Sequence, residues 1–255
     1  MKCLRIMRRE AQALAWGKAQ MNAVWDDPRV QRGMKAQLGM REQRLLAGAK
    51  PLGWKVGFGA PAAKARLGIS APLIGFMTDR SLVQSGAATS LSGWSNPVAE
   101  PEVAVYIGRD LAAGADRATA SAAIAALGPA IEVVDVYQPP DDPEAVLSGN
   151  IYHRHVLLGS RDADRAAGKL DGLAGRVMRN GNEFANITDL QANTGDILDI
   201  VRHVASMLAA FGERLRVDDV IICGSVVPPI PIEPRAGTIG FGLEPGAEIV
   251  LKTVV

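Results

Sequence analysis

The chain has 255 residues, of which 48% are hydrophobic and 22% charged, with a formal net charge of +1. That length allows one large domain or two small ones around a sizeable core, and near-neutral charge with no basic stripe argues against a nucleic-acid partner. No apolar run approaches the roughly 18 residues of a membrane span. The start, MKCLRIMRREAQALAWGKAQ, shows neither the apolar stretch nor the cleavage site of a secretory signal. Cys3 and Cys223 stand too far apart to build a disulfide framework or a metal knuckle. A reducing cytoplasm is the expected location.

Residues 2–24 and 27–48 carry apolar side chains at mixed spacings of three and four among Ala, Arg and Gln, which predicts two helices separated by Asp26, Asp27 and Pro28. From GWKVGFG at residue 53 the texture changes to short β-branched runs broken by Gly and Pro. Strands are predicted near 53–58, 82–84, 101–107, 130–137, 155–159, 174–179, 183–187, 219–223 and 247–254. A helix over 117–127 stops at Gly128-Pro129. Asn180-Gly181 in VMRNGNEFA suits the positive φ of a tight hairpin turn. A further helix starts at a Thr194 cap, sets Ile197, Val201, Val204, Leu208 and Phe211 on one stripe, and ends at Gly212. PPIPIEPRAG reads as an extended loop. These elements predict an α+β chain: a helical N-terminal segment over residues 1–50, then a mixed β-roll or barrel over 51–255.

Within NPVAEPEVAVYIGRDL, Glu100 and Glu102 stand two apart at the mouth of an apolar strand, so both carboxylates share one face. Like charges held that way repel, and burying either is costly without compensation. A hard divalent cation is one such compensation, because it takes carboxylate oxygens. PAIEVVD places Glu132 between Ile131 and Val133, a third ligand if the two strands are neighbours. Histidine and cysteine are too sparse here for zinc. A solvated strand entrance is the alternative reading of the same Glu-Pro-Glu pair.

GWKVGFG, LGISAPLIG, EPEVAVYIGRDL, PAIEVVD and VIICGS, in that order, resemble the 2-keto-4-pentenoate hydratase group of the fumarylacetoacetate hydrolase superfamily. The likeness runs from about residue 40 to the C-terminus. It implies a mixed β-roll and a bound Mg²⁺ or Mn²⁺ held by Glu100, Glu102 and Glu132. It also implies a 2-oxo acid substrate that chelates the ion, with hydration of a 2-oxo-4-enoate through an enolate as the expected reaction. Decarboxylation, C–C hydrolysis and a catalytically silent metal-binding role are the alternatives. Lys55 matches the family's active-site lysine and shares a face with Gly53 and Gly57, which leaves room for a ligand. Asn150 and Ser225 match substrate-binding positions, and family habit implies a homo-oligomer.

The chain departs from that pattern in places that bear on proton transfer. Leu73 stands where the group usually has an aspartate, Gly59-Ala60 replaces Thr-Ser, and Tyr152-His153-Arg154-His155 replaces a serine run. His153 or His155 is therefore expected to take over proton transfer, an imidazole being suited to it near neutral pH. A surface pair beside Arg154 is the alternative. His203 reads as a packing residue within its helix.

Overall fold

The computed structural model describes residues 23–233, 235–246 and 248–254. The helix expected over 2–24 falls almost wholly on residues outside that set. After a short 3-10 turn at Val24–Asp26, helix α1 (Pro28–Leu46) starts where Asp27 caps it, accepting from the Arg29 amide, with Pro28 at a position that needs no amide hydrogen. The strands are β1 (Pro51–Gly57), β2 (Leu73–Thr78), β3 (Ala88–Ser90), β4 (Pro97–Ile107), β5 (Ile124–Asp135) and β6 (His153–Leu158). They continue with β7 (Ala174–Arg179), β8 (Asn182–Ile187), β9 (Val220–Ser225), β10 (Ile230–Pro231), β11 (Gly237–Glu244) and β12 (Glu248–Val254). Between them lie α2 (Pro61–Leu67), α3 (Arg117–Ala123), α4 (Pro143–Ser148) and α5 (Ile197–Ala210).

Among the described residues the strands form two sheets, giving the α+β class expected from the sequence. The larger has the order β2–β1–β9–β4–β5–β6, with β10 extending β9's edge along the start of β4; the smaller has the order β3–β12–β11–β7–β8. Only β1 with β9 and β3 with β12 run parallel. The longest ladder is β4 with β5, whose antiparallel register runs from Pro97 opposite Asp135 to Ile107 opposite Ile124. Both strands are buried along nearly their whole length, so they read as continuous apolar runs rather than alternating ones. Helix α5 covers this sheet with Ile197, Val201, Val204 and Leu208, the predicted stripe. Helix α1 approaches α4 so closely that a Cβ on Gly33 would stand 2.7 Å from Leu147 Cβ.

Several expectations change. Helix α3 ends at Ala123, and the run predicted as its last turn begins β5, which passes through Gly128-Pro129. Pro129 is tolerated there because its carbonyl bonds the Gly159 amide just beyond the end of β6, so its missing N–H falls outside that ladder. Asp196 rather than Thr194 caps α5, accepting from the Asp199 amide. Residues 82–84 make only an isolated bridge, Leu82 with Val156. Strands β2, β3 and β11 were not expected from local patterning. The β7–β8 hairpin forms as predicted, with Asn180 and Gly181 at φ 51° and 78°.

Candidate active site

Strand β4 sets Glu100 and Glu102 on one face, and the ladder places Glu132 of β5 directly opposite Glu100 and Ser225 of β9 opposite Glu102. One carboxylate oxygen from each of the three glutamates lies within 4.8 Å of the others. Glu102 and Glu132 are fully buried. Glu102 Oε2 accepts from the Gly224 amide at 2.6 Å, while its Oε1 has no hydrogen-bond partner. Burial, reinforced by the Glu132 charge, pushes the Glu102 carboxyl well above its ordinary range and Glu100 up to about 7. Burial pushes Glu132 up as well, but the Lys55 charge and the His153 hydrogen bond outweigh it and hold this carboxyl below its usual value.

Lys55 reaches this group from β1. Its Nζ stands 2.7 Å from Glu132 Oε2, as an ion contact without hydrogen-bond alignment, and donates to the Ile151 carbonyl at 3.0 Å. Gly75 of β2 is its cross-strand partner, and a Cβ there would stand 2.9 Å from both Lys55 Cγ and Asn150 Oδ1. The expected role of Gly53 and Gly57 is corrected by their contacts. Gly53 admits the Val220 backbone of β9, and a Cβ on Gly57 would meet Ile151 Cγ2 at 3.0 Å, so both make room for protein.

Asn150, Ile151 and Tyr152 all take left-handed backbone angles, with φ of 52°, 51° and 61°. For a β-branched residue such as Ile151 that costs on the order of 1–3 kcal/mol. Asn150 holds the turn in place: its Oδ1 accepts from the Phe76 amide and its Nδ2 donates to the Phe76 carbonyl, both at 2.9 Å. Both ends of this amide are thus committed to β2, and the turn they fix delivers the Ile151 carbonyl to Lys55.

His153 is 5% exposed and sits in β6 with Nδ1 2.6 Å from Glu132 Oε1. Burial lowers its pKa, so the ring is neutral and Nδ1–H donates to the carboxylate. The expected surface pair with Arg154 is therefore not what forms. Nor is the ring in the wall of the cavity described below; it hydrogen-bonds a carboxylate from behind. His155 stacks on Trp94 at 5.5 Å between centroids. His203 donates to the Pro72 carbonyl at 2.9 Å and stacks near Trp25, a packing role as expected.

A cavity of about 410 Å³ reaches the carboxylate cluster at Glu100, with Lys55, Tyr152 and Ser225 also in its wall and valines and prolines over much of the rest. Ser225 Oγ donates to the Pro101 carbonyl at 3.4 Å, and Asn193 Nδ2 braces the Ser225 carbonyl at 2.7 Å. The Gly224 amide, the Ile151 carbonyl and Asn193 are parts of the site that the sequence reading did not name. The first two are backbone groups and leave no side-chain signal; only Gly224, within VIICGS, had a visible marker.

The donor set fits a divalent cation. With all three carboxylates ionised, one ammonium and a neutral imidazole leave a charge of two negatives, which burial opposes in the metal-free site and a divalent ion would cancel. Oxygen donors with an unpartnered Glu102 Oε1 suit hard ions. The Cys223 thiol, pushed up by burial and by Glu102, stays protonated and offers no thiolate ligand.

A cluster of three carboxylates with the donor chemistry of a cation site, reaching an apolar cavity on a mixed α+β roll, is the class of centre these residues define. Residues 54–250 match the family described as fumarylacetoacetate (FAA) hydrolase C-terminal, and the chain belongs to that family. It is 26% identical over 242 residues to a 4-oxalocrotonate decarboxylase of Pseudomonas sp, covering 92% of this chain and 91% of the relative. It is 28% identical over 199 residues to a 2-hydroxyhexa-2,4-dienoate hydratase of Comamonas testosteroni, covering 76% and 75%. The structure of 4-oxalocrotonate decarboxylase from Pseudomonas putida G7, complexed with magnesium and adipate, superposes with a TM-score of 0.79 at 23% identity, covering 87% of this chain and 85% of that one.

Proposed function

We propose that this chain is a divalent-metal-dependent lyase that hydrates a 2-oxo-4-enoate acid of the 2-hydroxypenta-2,4-dienoate kind. The observation that carries this reading is the convergence of Glu100, Glu102 and Glu132 with Lys55, a cluster that reaches a substrate-sized cavity through Glu100 and Lys55. Magnesium or manganese held by the three carboxylates would polarise the substrate's 2-oxo group and offset enolate charge. The remaining work falls to the chain's own groups. Lys55 has three donors, one engaged by Ile151 and one facing Glu132, which leaves a third for the substrate carboxylate or for proton transfer. His153 turns Glu132 toward Lys55 and the other carboxylates by fixing its Oε1. Ser225 offers its hydroxyl from the cavity wall. Asn150 contributes to substrate binding by holding the Ile151 carbonyl, and so Lys55, in place. The same reading makes the protein a cytoplasmic homo-oligomer of aromatic-compound catabolism.

A second reading, decarboxylation of 4-oxalocrotonate, is favoured by Leu73. This side chain is fully buried and apolar where the hydratase pattern carries an acid. Loss of CO₂ leaves its electron pair on the same enolate and needs no activated water. Steady-state assays with 2-hydroxypenta-2,4-dienoate, 4-oxalocrotonate and acetylpyruvate, with and without Mg²⁺, decide between them. Metal-dependent hydration of the dienoate supports the proposal. Turnover of 4-oxalocrotonate alone replaces it with decarboxylation, and no turnover of any substrate leaves a silent metal-binding member.

A further inference from the structure

We propose that Gln37 is a positioning residue of this site: from helix α1 it holds the Asn150–Tyr152 turn against β2, and through that turn it sets Lys55. The inference rests on the reading of Lys55 Nζ as the donor that meets the carboxylate of the bound acid. Helix α1 supplies none of the described residues in the cavity wall, so any influence it has on the site is indirect. Gln37 is fully buried, on the stripe that Val30, Gly33 and Met34 turn toward the core. An amide side chain in such a place is costly unless its hydrogens are used. Both are used: Nε2 donates to the Ile74 carbonyl of β2 and to the Leu147 carbonyl of α4, each at 3.2 Å. Two acceptors at that end also fix which way the amide faces, since an oxygen turned there would meet only lone pairs. Its Oε1 is left without a partner.

The two carbonyls lie on either side of the turn's anchor. β2 is the last strand of the larger sheet, and its outer edge has no strand beside it. Alternate residues of an antiparallel strand turn their backbone groups to the same edge, so Ile74 and Phe76 both face outward. Asn150 takes the amide and carbonyl of Phe76, and Gln37 takes the carbonyl of Ile74. Two side-chain amides thus bond the edge where a neighbouring strand would. Leu147 lies three residues before Asn150 in the last turn of α4, where carbonyls run short of helical amides. Gln37 therefore pins the approach to the turn while Asn150 pins the turn itself. Left-handed angles at three successive residues need that support. The Ile151 carbonyl inside the turn occupies one hydrogen of Lys55 Nζ, and Gly75, between the two gripped residues, is where the Lys55 stem lies against β2.

Gln37→Met keeps the length of the side chain and removes both donors; should it not fold, Gln37→Asn, one methylene too short to reach both carbonyls, is read in its place. Titration calorimetry on the full chain saturated with Mg²⁺, with oxalate as the probe, is expected to show affinity about tenfold lower in the variant. Mn²⁺ affinity without oxalate should stay within about twofold, because Glu100, Glu102 and Glu132 hang on β4 and β5. On a Lys55→Met background (Lys55→Gln if that does not fold) the Gln37 change should cost oxalate less than about twofold, since the group it positions is gone. Hydrogen exchange should quicken at least about tenfold over residues 73–78 and 147–153 and stay unchanged in β4 and β5. Unchanged oxalate affinity, an equal loss on both backgrounds, or unaltered exchange over 73–78 and 147–153 overturns the inference and leaves the reading of Lys55 standing. Failure of oxalate to bind the unmodified chain, or an affinity indifferent to Lys55→Met, takes down both.

Discussion

In the smaller sheet, β7 and β12 alternate buried and solvent-facing side chains, and their charges pair in water, as Arg176 does with Glu244 at 3.0 Å. In the larger sheet, β4 and β5 are covered on both faces yet carry Glu102 and Glu132 with no exposure at all. The same carboxylate chemistry thus sits in two dielectric settings. Water screens the first set, so its pairs contribute little. Around Glu132 nothing screens, so the Lys55 charge and the His153 hydrogen bond hold its carboxyl down, and its own charge pushes Glu100 and Glu102 up. The comparison teaches that a buried like-charge group on a well-packed strand is a cost the fold carries, and the cation site proposed above is its physical counterpart.

The largest effect should come from breaking the buried set at its centre. Glu132→Gln removes the counter-charge of Lys55 and one proposed ligand. It should lower kcat/KM by about a thousandfold and abolish Mn²⁺ binding in calorimetry. The same change should destabilise the metal-free protein by about 3 kcal/mol in chemical denaturation, since an ammonium is left buried without its partner. A variant that keeps full metal affinity would mean that Glu132 serves packing alone. Next in size is His153→Leu, expected to weaken Mn²⁺ binding about 10–100-fold, with His153→Asn restoring most of it through an amide in place of Nδ1–H. Equal metal affinity in both, with only the melting temperature changed, would make the imidazole a spacer.

The acid–base consequence is smaller and has a definite sign. Glu100 and Glu102 have folded pKa values raised above the ordinary carboxylate value of 4.5, Glu100 to about 7. Between those limits the folded state holds more protons than the unfolded one, so metal-free stability should fall as pH rises from about 4.5 to about 7. Metal binding should strengthen over the same interval and release protons, measurable by calorimetry in buffers of different ionisation enthalpy. Affinity independent of pH between 5 and 8 would contradict the raised carboxyls. The smallest effect sharpens the contrast from the other side. Arg176→Ala should change stability by no more than about 0.5 kcal/mol and leave kcat/KM unaltered. A loss comparable to that of Glu132→Gln would erase the distinction between the sheets.

Much of this was readable before any coordinates. The Glu100–Glu102 spacing predicted a shared face, and the apolar flanks of Glu132 predicted a buried carboxylate in need of company. Asn180-Gly181 marked its hairpin because a two-residue turn demands positive φ from both residues. The misses share a cause. The Ile124–Leu127 run was read as the end of a helix, since Ala-rich apolar sequence fits either period and only pairing with β4 settles it as strand. β2 and β11 are interrupted by glycine, and Gly75 looks like a breaker until Lys55 and Asn150 are seen filling its space.

From its residues alone, this chain raised the question of a cation: acidic side chains two apart and a third in an apolar strand ask for compensation, because charge and strand period are local properties, while the oxo acid came from the resemblance of whole motifs to a family. Tertiary structure decided who meets whom. That Glu132 lies opposite Glu100, that His153 hydrogen-bonds Glu132 from β6, and that Val98 and Val134 follow on the next rung all depend on ladder register. Register is set by contacts between segments distant in sequence, and no local pattern encodes it.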